Sequence, residues 1–144
     1  MANVIIAGVD GSETAIAAAQ QAADVARAFE SSLHVVSAYG PGETRTLSDG
    51  AERVIINLRD EAERIAAEAV TALGQEFPDL EVTASIGSGN PAEVLVNEAE
   101  RLDARLIVVG NKRVQGPARI LGSVARSVAA NATCDVYIAN THGN

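Results

Sequence analysis

Val4-Ile5-Ile6-Ala7-Gly8-Val9, followed at once by Asp10-Gly11-Ser12, is the stretch that decides the fold class. Its apolar residues run on without alternation, the pattern of a strand buried on both faces, as in parallel sheets covered by helices. Asp10-Gly11-Ser12 ends the strand, and Ser12 stands where it can cap the Ala-rich stretch from about Glu13 to Glu30, which is predicted helical.

The same alternation continues along the chain. Leu33 to Ala38 reads as a second strand, closed by Gly40-Pro41-Gly42, and about Gly40 to Gly50 as a polar loop. A long helix follows, with Val54, Ile55, Leu58, Ala62, Ile65, Ala66, Ala69 and Leu73 recurring every three or four residues. Phe77-Pro78-Asp79 breaks the chain before a third strand, Leu80 to Ile86, whose alternation suits a sheet edge with one wetter face. Asn90-Pro91-Ala92-Glu93 is a helix start, with a capping Asn and Pro at the first helical position; that helix is expected to end near Arg101. Arg105 to Gly110 is a fourth strand, Gly122 to about Ala132 a short helix, and Cys134 to Ala139 a last strand. Strands alternating with helices imply a doubly wound parallel sheet with right-handed crossovers. Its ligand is expected beyond the carboxyl ends of the strands, where the winding reverses, so the loops holding Asp10, Ala38 and Gly110 to Gly122 matter most.

Composition narrows the function. The 144 residues suit one domain, 1–144, with a flexible tail over 141–144. Hydrophobic residues make up 47% and aromatic ones only 3%, so the core must be aliphatic. A net charge of −8 argues against nucleic-acid and acidic-membrane partners, both of which call for a basic footprint. Cys134 is the only cysteine, which excludes an intramolecular disulfide. No basic segment precedes the first apolar run and Asp10 interrupts it, unlike a signal peptide; no apolar run is long enough for a membrane helix. The cytoplasm is the expected compartment.

Neither GxxxxGK[ST] nor GxGxxG occurs, and Gly87-Ser88-Gly89 reads as a turn feeding the Asn90 cap. The informative segment is Gly110 to Ser123. Between Asp103 and Asp135 there is no acid, although the chain holds 19, and five of its 11 basic residues fall there: Arg105, Lys112, Arg113, Arg119 and Arg126. Gly122 and Ser123 then open a helix, aiming unpaired N–H groups and the positive dipole end at the same space. Taken singly these residues are a turn, a cap and solvated arginines; together they indicate an anion site. His34, within the second strand, reads as a part-buried structural histidine, and Cys134 as buried and inert. His142 lies in the tail, and no partner spacing suggests a hydrolase triad.

Three segments, VDGSE (9–13), GNPAEVL (89–95) and VVGNKR…LGSV (108–113 and 121–124), resemble the universal stress protein family across essentially the whole chain. The resemblance implies a five-stranded parallel sheet of order 3-2-1-4-5 and a nucleotide site built on G-x2-G-x9-G-[ST]. It implies that Asp10 contacts the ribose or an associated Mg²⁺ and that Val9 and Ala38 border the adenine. Gly110 and Asn111 would line the phosphate loop, and Gly122, Ser123 and Val124 would bind the phosphates of ATP or another adenine nucleotide. Arg113 stands where the second glycine is expected, with eight residues between it and Gly122 instead of nine. Either Gly116 restores flexibility and Arg113 reaches a phosphate, or the arginine fills the pocket. The family pattern also implies a homodimer through the last strand, 134–139, and a stress-response regulator; a protein acting by protein contacts alone and a slow ATPase or phosphotransferase are the alternatives.

Overall fold

The five aliphatic runs form β1 (Val4–Gly8), β2 (Ser32–Tyr39), β3 (Val82–Ser88), β4 (Leu106–Asn111) and β5 (Asp135–Asn140), alternating with α1 (Glu13–Ala28), α2 (Asp49–Glu76), α3 (Pro91–Leu102) and α4 (Ser123–Asn131). This computed structural model describes residues 3–40, 49–111 and 121–141, apart from the side chains of 49–56. Every strand pair is parallel, as the alternation of strands and helices predicts, and the order is β3-β2-β1-β4-β5, as the family resemblance implies.

Strand parity divides the core into two layers. Ile5, Ala7, Leu33, Val35 and Val108 point to one face, where five alanines of α1 and Ala69 and Leu73 of α2 cover them. Ile6, Val36, Ile107 and Val109 point to the other, under α3 and α4. The alanine face lets α1 approach the sheet closely. Burying one aliphatic side chain here contributes about 1.5–3 kcal/mol.

Local caps set the helix ends. Ser12 Oγ accepts from Ala15 N at 3.1 Å, and Asn90 Oδ1 accepts from Glu93 N at 3.0 Å. α1 stops at Ala28, two residues short of expectation, because Glu30 takes a left-handed φ of 53°. β3 is displaced from the expected Leu80–Ile86: Leu80 N donates to Phe77 O in a turn, so pairing starts at Val82. It continues through Gly87 and Ser88, which correct the turn reading of Gly87-Ser88-Gly89. Only Gly89, with φ 138°, leaves the strand. A Cβ on Gly87 would lie 2.6 Å from Val94 Cγ1, so that glycine serves helix packing. Leu58, expected in the core of the long helix, is 41% exposed, because the buried line runs through Ala62, Ala66, Ala69 and Leu73.

His34 is 8% exposed under α3. Its Nε2 lies 2.8 Å from Ser85 Oγ and its Nδ1 2.7 Å from Thr83 Oγ1. Ser85 donates its single hydroxyl proton to Glu98 Oε2 at 2.6 Å. His34 Nε2–H must therefore donate to Ser85, and Thr83 to Nδ1, which fixes the neutral tautomer. Burial pushes the imidazole below its ordinary 6.5, against the pull of Glu98. The Ser85 proton points away from His34, so the cluster is no nucleophile–base pair. The histidine is structural, as read from the sequence.

Candidate functional site

The carboxyl ends of β1, β2 and β4 meet the amino ends of α1, α3 and α4 around a crevice of about 410 Å³. It lies where the winding reverses between β1 and β4. Val9, Asp10, Ala38, Gly110, Asn111, Gly122, Ser123 and Val124, all sequence-derived site residues, line it. The other two, Arg113 and Gly116, lie outside the described residues, as do Lys112 and Arg119. Arg105 is not brought to the crevice. It opens β4 at the opposite end of the sheet, with its guanidinium 4.4 Å from the Phe29 ring centroid. Arg126 stays near the mouth, donating from Nη2 to Leu121 O at 2.9 Å.

The floor and one wall are apolar. Val36 and Val109 face up from the sheet, and Val94 and Leu95 reach in from α3. Sequence reasoning missed these four. The inward parity of β2 and β4, and the i, i+4 spacing of Pro91 and Leu95 at the start of α3, carry the signal that could have found them.

The polar end is built differently from the other helix starts. α1 and α3 have side-chain caps and an acid in the first turn, Glu13 and Glu93; α4 has Gly122 as its N-cap, no side-chain cap bond and no first-turn acid. The first helical bond of α4 is Arg126 N to Gly122 O at 2.9 Å, which leaves Ser123, Val124 and Ala125 N–H without an intrahelical acceptor. Gly122 N donates to Asn111 Oδ1 at 2.7 Å, tying the helix start to the end of β4.

Two glycines of the site do different work. At Gly110 a Cβ would lie 3.1 Å from both Thr14 Cγ2 and Thr14 O and 3.2 Å from Ala18 Cβ. Its missing side chain therefore admits α1. At Gly122 the backbone (φ −62°, ψ 162°) suits any residue, and a Cβ would meet, among the described residues, only Asn111 Oδ1 at 3.5 Å. Nothing in the described fold demands glycine there.

Asp10 is exposed beside Gly11, which takes φ +86°, and Asp10 Oδ1 accepts from Ser12 N at 2.9 Å. Its second oxygen has no hydrogen bond to a described residue. Among the described residues no group of three or more metal-binding side chains forms. A Mg²⁺ held here would have Asp10 as its single described carboxylate and would need phosphate oxygens beside it. Cys134, expected buried, is only half-buried because it precedes the edge strand β5, and burial together with Asp135 pushes its thiol up, which disfavours the reactive thiolate. Among the described residues no helix is long and apolar enough to cross a membrane.

Sheet order and crevice together define a doubly wound α/β protein with its site at the switch point, where such sheets take ligands. Residues 1–140 match the model of the universal stress protein family, and the chain belongs to that family. A universal stress protein of Methanocaldococcus jannaschii is 30% identical over 136 residues, with 93% of this chain and 79% of the relative covered. The solved structure of a universal stress protein in complex with cAMP has a TM-score of 0.74 at 27% identity, covering 96% of this chain and 97% of that one. That of the Archaeoglobus fulgidus protein in complex with dAMP has a TM-score of 0.68 at 28% identity, covering 96% and 97%.

Proposed function

We propose that this chain is an adenine-nucleotide-binding regulator of the stress response. The observation that carries the reading is the uncapped start of α4 at Gly122, facing a crevice whose opposite wall is aliphatic. A nucleotide is a ligand with the same division: an anion for free N–H groups and a flat base for an apolar slot. The two solved relatives that hold cAMP and dAMP support adenine as the base. Val9, Ala38 and Val36 border the base, Asp10 meets the ribose or a Mg²⁺, and Ser123 and Val124 receive phosphate. Equilibrium dialysis with labelled AMP, ATP and cAMP tests this, with GTP as the control. Saturable binding of an adenine nucleotide in preference to GTP is expected; binding of none of them overturns the reading.

We read the site as regulatory in preference to one of turnover. Asp10 is the crevice's one carboxylate among the described lining residues, and it has no partner there to form an acid–base pair. Steady ATP hydrolysis abolished by Asp10→Ala would favour a slow ATPase instead.

We further propose a homodimer through β5. It is an edge strand with one row of backbone groups unpaired in the sheet, and Tyr137 on it is 42% exposed. Sedimentation equilibrium is expected to give twice the 14.8 kDa chain mass, falling to one chain in Val136→Lys. A single-chain mass for the wild type at micromolar concentration excludes the dimer.

A further inference from the structure

Asn111 is the one buried polar side chain that lines the crevice among the described residues. It is 9% exposed, and its backbone carbonyl is held by Thr141 N at 3.2 Å, so the side chain stands on a fixed base. The partner at 2.7 Å is a backbone N–H, which can only donate. The atom facing it must be the oxygen, and the carboxamide orientation is therefore settled by chemistry. The other arm, Nδ2, has no hydrogen bond to any described residue.

We propose that Asn111 is the positioning residue of the phosphate end. Its oxygen takes the Gly122 N–H and fixes the start of α4; a phosphate is then received by Ser123 N, Val124 N and Asn111 Nδ2. This inference rests on the nucleotide reading of the site and adds to it the device that makes the crevice select an anion.

The amide is informative because a carboxylate would be the stronger cap. An ionised acceptor forms a shorter, stronger bond to a helix N-terminal N–H and also gains from the dipole. Its cost is a negative charge inside the pocket, where little water screens it from a phosphate. A neutral amide holds Gly122 with one arm and offers a donor to the anion with the other. Acids are placed at the first turns of α1 and α3 but not of α4, consistent with the same requirement.

Asn111→Asp separates this role from a purely structural one, because it keeps the acceptor and changes only charge and donor. Affinities for AMP and for uncharged adenosine are measured by calorimetry in both proteins. The AMP-to-adenosine affinity ratio is expected to fall at least about tenfold in Asn111→Asp. An unchanged ratio overturns the inference and leaves the nucleotide reading standing. If the wild type binds neither ligand, the nucleotide reading fails. The positioning half is then decided by the Gly122 amide proton resonance, which is expected to move upfield in Asn111→Ala; an unmoved resonance overturns it. The same resonance decides the matter if Asn111→Asp does not fold.

Discussion

Replacing Gly122 by Val should severely weaken nucleotide binding while leaving the fold almost untouched. The structural cost is small on three counts. The backbone sits at φ −62° and ψ 162°, where a β-branched residue is comfortable. The new Cβ would be 3.5 Å from Asn111 Oδ1, an ordinary contact. Loss of a good N-cap residue costs about 1 kcal/mol, and reduced freedom of the unfolded chain returns about 0.4–1 kcal/mol. The melting temperature should therefore move by less than about 4 °C. Binding responds quite differently. The valine methyls enter the space next to the Ser123 and Val124 N–H groups, and one lost hydrogen bond to a charged group costs about 1.5–3 kcal/mol. That is about a 10- to 150-fold rise in Kd. Calorimetric titration with AMP beside a thermal melt reads both quantities on one sample. A Gly122→Val protein that melts normally and binds AMP within threefold of the wild type would refute the role of the α4 start.

Gly110→Ala should show the opposite pattern: its Cβ would press on Thr14 O and Ala18 Cβ, which have little freedom to yield. A loss of about 1–3 kcal/mol in urea unfolding is expected, and an unchanged midpoint would contradict the packing role. Asp10→Asn should weaken nucleotide binding by about 1–3 kcal/mol if the carboxylate meets the ribose or a metal ion, and calorimetry with AMP in EDTA and in Mg²⁺ tells which. Acid should weaken the fold through Glu98, whose carboxyl Arg101 holds at about 2 instead of 4.5. That stability is present above 4.5 and is lost as pH falls toward 2; the gap sets a ceiling of about 3 kcal/mol, and Arg101, 62% exposed, leaves about 1–2 kcal/mol after water screening. His34 acts in the same direction from a higher pH, since its lowered value means the unfolded chain takes the proton first below 6.5. Glu98→Gln should flatten the unfolding free energy between pH 5 and about 3, and an unchanged slope there would dissociate Glu98 from acid stability.

Most of the architecture was legible because its signals are local. Short unbroken aliphatic runs such as Leu106 to Val109, bounded by turn residues, read as doubly covered strands, and Ser12 and Asn90 cap the helices that their sequence contexts announce. The family resemblance pointed to Val9 and Ala38, and both line the crevice. What failed depended on neighbours distant in sequence. Leu58 follows the helical period yet faces outward, because the period alone leaves the exact buried stripe open. The turn that holds Leu80 was invisible without its hydrogen bond to Phe77. That Gly110, which lines the crevice, also lets α1 pack close was not legible either, since Thr14 and Ala18 make that contact across the sheet. Arg105 belonged to the basic segment in sequence but lies at the far end of β4 in space. The Asn111 bond to Gly122 spans eleven residues and leaves no pattern in the sequence.

The central claim is that an adenine nucleotide binds at the carboxyl ends of β1, β2 and β4. Titrating ¹⁵N-labelled protein with AMP and following backbone amide shifts tests it most directly. Shifts concentrated at Val9, Ala38, Gly110, Asn111, Ser123 and Val124 are the expected result. An unchanged spectrum at millimolar AMP, or shifts confined to the opposite cleft around Arg27, Ser32 and Glu81, would contradict it.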